Sequence, residues 1–240
     1  MAGTSLKINF LAFSLEILSV LIGISIVFGI NNMLEENERA ANEIATLRQI
    51  KAALQSDKTT IAQNLKAHQK GLGAYNAINH YMEVVDYSFN DSMSVFFNDL
   101  LAEELLTCNK GAYEAAKSGG LDKITNAQLR SQIANYYEHD FAELEKFEDS
   151  YYPLQFHQRF SGYFSRNFTN YKYAFEGDKM VKFTISPKDF YRFRRDDELR
   201  YLLEEVYFGR KFILKKYAAF SQQIENLENS LDNEINALQE

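Results

Sequence analysis

The sequence predicts an all-α protein: one N-terminal transmembrane helix continuing into a long-helix antiparallel bundle or coiled-coil-like domain. Three observations predict it. Leu11 to Ile30 is an apolar run of 20 residues in which Glu16 is the single charge. The 240 residues include 2 prolines and 11 glycines, too few to punctuate a chain of many short strands. Apolar residues spaced alternately by three and four form one long stripe early in the remaining chain and another at its C-terminal end. The expected organisation is a short tail at 1–10, a transmembrane helix at 11–30 and a helical extramembrane domain at 31–240.

The apolar run comes first in the chain. As a helix its 20 residues span roughly 30 Å, the thickness of a bilayer core. A cleavable leader has a shorter apolar region, of about 7–15 residues, and an A-x-A context that is absent here, so an uncleaved anchor is expected. Lys7 precedes the run, and Arg39 and Arg48 follow it. That count is nearly balanced under the positive-inside rule. The expectation is a cytoplasmic N-terminus and an exported C-terminal domain.

Glu16 shares a helical face with Ser19 and Gly23. Ser19 and Gly23 are small residues four apart, which lets a second helix approach closely. A carboxylate within hydrocarbon costs a few kcal/mol unless a proton or a partner neutralises it. Glu16, Ser19 and Gly23 are therefore the expected membrane-interface residues. The plain alternative places Glu16, near the start of the span, among the headgroups.

The first stripe runs through Ile44, Leu47, Leu54, Ile61, Leu65, Leu72, Tyr75 and Met82, with Lys51, Lys58, His68 and Asn79 in the gaps and a possible kink at Gly71 and Gly73. A helix follows at Met93–Leu106, and a short one at Ala112–Lys117 is closed by Ser118-Gly119-Gly120. Thr125 or Asn126 caps the next helix, and Pro153 marks a break. Val181–Ser186 alternates like a strand, enough for a short ribbon. Aromatics at 160, 163, 164, 168, 171 and 175 read as a helix core. Asp196 and Asp197 then start the last helix, whose stripe is interrupted at Arg210 and Glu234. In an antiparallel pair the gap at Lys51 would meet the gap at Glu234.

Two stretches resemble a family of uncharacterised single-span membrane proteins from Gram-negative bacteria, classed as a domain of unknown function. One is Glu16-Ile17, Leu21-Ile22-Gly23-Ile24 and Ile30-Asn31-Asn32. The other is Tyr113-Glu114, Lys117-Ser118-Gly119, Ile124, Asn126, Leu129-Arg130 and Tyr136-Tyr137. Leu15 stands where the family usually has glycine, and Met33 where it has tryptophan. The resemblance implies topology, a single span in a bacterial inner membrane with the C-terminal domain in the periplasm, and no chemistry.

Several chemistries lack their sequence signatures. The single cysteine, Cys108, excludes an intramolecular disulfide and a multi-cysteine zinc site. His68, His80, His139 and His157 show no ligand spacing, and neither Gly119-Gly120 nor Gly71-Leu72-Gly73 is a phosphate loop. No catalytic residue, metal or cofactor is expected, and the net charge of −7 argues against nucleic acid as a partner. Phe156–Arg200 stands apart, with a net charge of +4. Its run Phe190-Tyr191-Arg192-Phe193-Arg194-Arg195 interleaves rings and guanidinium groups, so Arg192, Phe193, Arg194 and Arg195 are the expected partner-binding residues. The expected function is that of a membrane-anchored, non-enzymatic interaction or scaffold protein, partnered by the bilayer and by further copies or another envelope protein. A helical sensory or ligand-binding module and an oligomeric channel-like effector are the alternatives.

Overall fold

The computed structural model describes residues 10–84, 91–150 and 155–239. Residues 1–9 of the expected tail and the break at Pro153 lie outside them. The protein is mostly helical, in the order α1 (Phe10–Glu83), α2 (Asp91–Leu101), α3 (Gly111–Gly120), α4 (Ala127–Asn135), α5 (Phe141–Ser150), α6 (Phe156–Asn167), β1 (Phe168–Glu176), β2 (Lys179–Pro187), α7 (Phe190–Phe193) and α8 (Asp197–Ala237). A 3₁₀ turn, Leu121–Lys123, follows α3, and a π-helical turn, Tyr136–Asp140, joins α4 to α5.

α1 is one helix of 74 residues, about 110 Å long at 1.5 Å per residue. Gly71 and Gly73 lie inside it without ending it. Its first part, long and apolar enough to cross a membrane, is wholly unburied. From Glu43 onward a strict seven-residue spacing of buried positions appears: Glu43, Leu47, Ile50, Leu54, Asp57, Ile61, Asn64, His68, Gly71, Tyr75, Ile78 and Met82. α8 answers with Leu199, Leu203, Val206, Arg210, Ile213, Tyr217, Phe220, Ile224, Leu227 and Leu231. The two run antiparallel, and cross-links fix the register along their length. Lys51 Nζ lies 2.6 Å from Asp232, Lys58 3.2 Å from Glu225, and Tyr75 Oη donates to Glu204 at 2.6 Å.

The basic gap at Lys51 therefore meets Asp232, not Glu234. Glu234 instead accepts from the Asn126 amide at 2.5 Å. Asn126 caps α4 with its side-chain oxygen, which accepts from the Gln128 and Leu129 amides. Asp196 caps α8 in the same way through Leu199. Gly120 ends α3 at φ +98°, and a Cβ there would lie 2.7 Å from Asp122 Oδ1. Gly120→Ala is expected to lower stability by about 1 kcal/mol in urea unfolding, since both the backbone and the neighbouring carboxylate resist it.

The hairpin corrects the strictly all-α expectation. Phe160, Tyr163 and Phe164 do lie in the core of α6, but the chain leaves the helix at Phe168 and pairs β1 with β2 in antiparallel register. Gly177, at φ +59°, occupies the position that a two-residue type II′ turn reserves for glycine. Phe168 and Ile185 anchor the ribbon's base in the core. There the buried Ser94 hydroxyl donates to the Ile185 carbonyl at 2.8 Å and accepts from its amide at 3.1 Å. Phe97 packs edge-on against Phe164, Phe168 and Phe193, with centroids 5.2–6.0 Å away. Tyr171 and Phe175, expected in a helix core, are exposed on β1.

Candidate functional site

Three regions carry the candidate side chains. The first is the apolar face of α1. Between Leu15 and Leu34 its large side chains stand exposed, from Ile17 at 45% to Met33 at 65%. Glu16 is exposed with them. Ser19 Oγ donates to the Glu16 carbonyl at 2.8 Å, which satisfies that hydroxyl within the helix. Nothing lies within 4 Å of a Cβ built on Gly23, so this strip is open to a neighbour.

The second region is the end of α1 away from that face, where α7 and the start of α8 sit. Phe193, expected to bind a partner, is instead buried against Phe97, Phe168 and Phe190. The Arg194 guanidinium reaches the Met82 and Glu83 carbonyls at 3.4 and 3.5 Å, closing the C-terminus of α1. Arg192 and Arg195 are exposed and border a shallow hollow of 480 Å³ with Tyr191, Asp196 and Asp197. Of the four expected residues, two thus hold the fold and two face solvent.

The third region escaped sequence reasoning. It is a column of buried polar side chains around the irregular segment 102–110. Arg210 is wholly buried. Its Nη1 donates to His68 Nδ1 at 3.0 Å, and Nη2 reaches the Leu100 and Ala102 carbonyls at 2.8 and 2.9 Å. Its guanidinium lies 4.4 Å from the Phe156 ring centre. The cation therefore terminates α2 from inside the core, where the helix dipole favours it. Gly71 makes the room: a Cβ there would stand 2.3 Å from Arg210 Cζ. Burial and the adjacent Arg210 charge hold His68 well below its ordinary pKa, at about 4, and burial lowers Arg210 to about 10.

Carboxylates serve the donors of the same segment. Glu148 accepts from the Leu106 amide at 2.9 Å and from the Tyr217 hydroxyl; burial raises its pKa. Asp57 accepts from the Asn109 amide at 2.8 Å and from Cys108 Sγ and Tyr136 Oη, both at 3.1 Å. Burial, then Asp57, pushes the Cys108 thiol up, away from nucleophilic use. An irregular segment has no helix or ladder of its own to satisfy its inward-facing backbone groups, and α1, α5 and α8 supply the partners. Glu43 does the same for the Thr125 amide at 2.8 Å. Beside this column the Tyr113 and Tyr137 rings stack at 4.7 Å, and Tyr113 and Lys117 both reach Glu138 in the π turn, at 2.7 and 2.5 Å.

Residues 16–163, more than half of the chain, match a family of unknown function, DUF6090. The chain belongs to this family. In this DUF6090 protein the matched stretch starts at Glu16, inside α1, takes in the rest of that helix, the irregular segment and the π turn, and ends within α6. The hairpin, α7 and α8 follow it, so Arg210 reaches into the family segment from outside. No curated protein matches the chain, and no solved structure matches it.

Proposed function

We propose that this protein is a membrane-anchored, non-enzymatic interaction or scaffold protein of the bacterial envelope. In this reading α1 spans the inner membrane with its apolar segment, carries the helical domain into the periplasm, and associates with further copies or a partner span through the Glu16, Ser19 and Gly23 face. The observation that carries it is the unbroken α1. The helix that leaves a long stretch of large apolar side chains unburied also forms the backbone of the bundle. An apolar surface of that extent is unfavourable in water and at home in lipid. The small pair Ser19 and Gly23, on the same helical face as the carboxylate of Glu16, favours helix–helix association over a plain anchor.

Two measurements test the two parts. Full-length protein is expected in the membrane fraction, and a chain begun at Asn31 in the soluble fraction. A freely soluble full-length protein would overturn the anchor. For association, crosslinking and mass measurement of full-length protein in mild detergent should show an assembly that Glu16→Leu weakens about three- to tenfold, the scale of one interhelical polar contact. Glu16→Gln then separates charge from hydrogen bonding. An identical monomer in all three forms would sink the seam.

A further inference from the structure

The hairpin leans over α6 and α2 and leaves between them a cleft of 480 Å³, within the roughly 300–1,000 Å³ range of small-molecule sites. Tyr171 and Tyr173, on the same side of β1, form one wall, and the two residues are 43% and 60% exposed. Leu101 and Phe164 make an apolar floor. The opposite wall is a row at every fourth residue of α6, His157, Ser161 and Ser165.

The chemistry of these walls narrows what fits. Among the described residues no lysine, arginine, aspartate or glutamate lines the cleft, so a phosphate or carboxylate would enter without a fixed counter-charge from them. The serine protons are already committed: Ser161 Oγ donates to the Gln158 carbonyl and Ser165 Oγ to the Gly162 carbonyl, both at 3.0 Å. Both hydroxyls therefore offer lone pairs and call for a ligand that donates. Asn98 adds an amide with both donors and an acceptor. The rings favour a ligand with a flat, weakly polar face. A pyranose has that face in its axial C–H groups and a rim of neutral hydroxyls that both donate and accept.

We propose that this cleft binds a neutral saccharide, stacked on Tyr171 and Tyr173 with its hydroxyls on the His157–Ser161–Ser165 row. The site goes beyond the scaffold reading and does not depend on it, since neither the anchor nor Glu16 takes part.

The test uses full-length protein in lipid nanodiscs, because maltoside detergents carry sugar headgroups of their own. Saturation-transfer NMR would be run with maltotriose, cellotriose and tri-N-acetylchitotriose, and with tryptophan and inorganic phosphate as comparison ligands. At least one trisaccharide should show saturable transfer. Tyr173→Ala, which removes an exposed ring, should weaken it about tenfold, and Ser161→Trp, which fills the cleft, should abolish it. Silence from all three trisaccharides, transfer untouched by both variants, or tighter binding of tryptophan or phosphate than of every saccharide would each overturn the proposal.

Discussion

Arg210→Ala is expected to be the most damaging single substitution in the bundle, costing about 3–5 kcal/mol in urea unfolding of the detergent-solubilised protein. Truncation leaves the Leu100 and Ala102 carbonyls and His68 Nδ1 without their donor and opens a cavity beneath Phe156. Arg210→Lys should recover little, because a single ammonium cannot reach three acceptors that a planar fork meets together. Gly71→Ala provides the complementary reading. Its new Cβ would collide with the guanidinium at 2.3 Å, at a cost of about 1–3 kcal/mol. In the Arg210→Ala background the collision disappears and alanine's higher helix propensity remains, so the same change should become neutral or stabilising. Additive losses would show that Gly71 and Arg210 do not share one space.

The second large effect is acid sensitivity centred on His68. Its folded-state pKa lies near 4, against about 6.5 for an unperturbed imidazole. The unfolded chain therefore takes up the proton first, and stability falls as the pH drops from about 6.5 toward 4. Over that window the loss amounts to about 3 kcal/mol. Arg210 is the charge that faces His68, and the Asp99, Glu103 and Glu104 carboxylates surround Arg210 and moderate it. Glu148 opposes the trend: its raised pKa makes the folded state the better proton acceptor at that group. Comparison with His68→Gln, which can still accept from Arg210 but does not titrate, isolates the histidine. Wild type should lose about 3 kcal/mol more than this variant between pH 7 and pH 4. Parallel pH profiles would refute a proton-sensitive core at this point.

His68 and Arg210 also mark the boundary of what sequence reasoning reaches. The long helices were legible because almost nothing interrupts them, and the caps at Asn126 and Asp196 were legible because their chemistry is local. The alternation of Val181–Ser186 correctly announced β2. Its partner strand was misread because aromatics at 160, 163, 164, 168, 171 and 175 satisfy a helical spacing, while the glycine turn that settles the matter lies beyond them. The polar members of the α1 stripe were harder still. Asp57, Asn64, His68 and Gly71 occupy inward positions of the seven-residue repeat, yet each looks like a surface residue in isolation. What licenses their burial is Cys108, Tyr136, Tyr217 or Arg210, more than fifty residues away in every case. Likewise the arginine-rich run looked like a surface motif, though Arg194 serves the end of α1.

The absence of a break in α1 has a mechanical consequence. Roughly 80 Å of helix separates Asn31 from Glu83, with the bundle packed along most of it. Each tilt of about 10° in the apolar segment thus swings the far end by about 14 Å. Twisting the segment about its axis turns the hairpin and its cleft through the same angle. Such a rod has no slack: where the outer end points is decided by how its foot is seated, and a load on the outer end is felt at the foot.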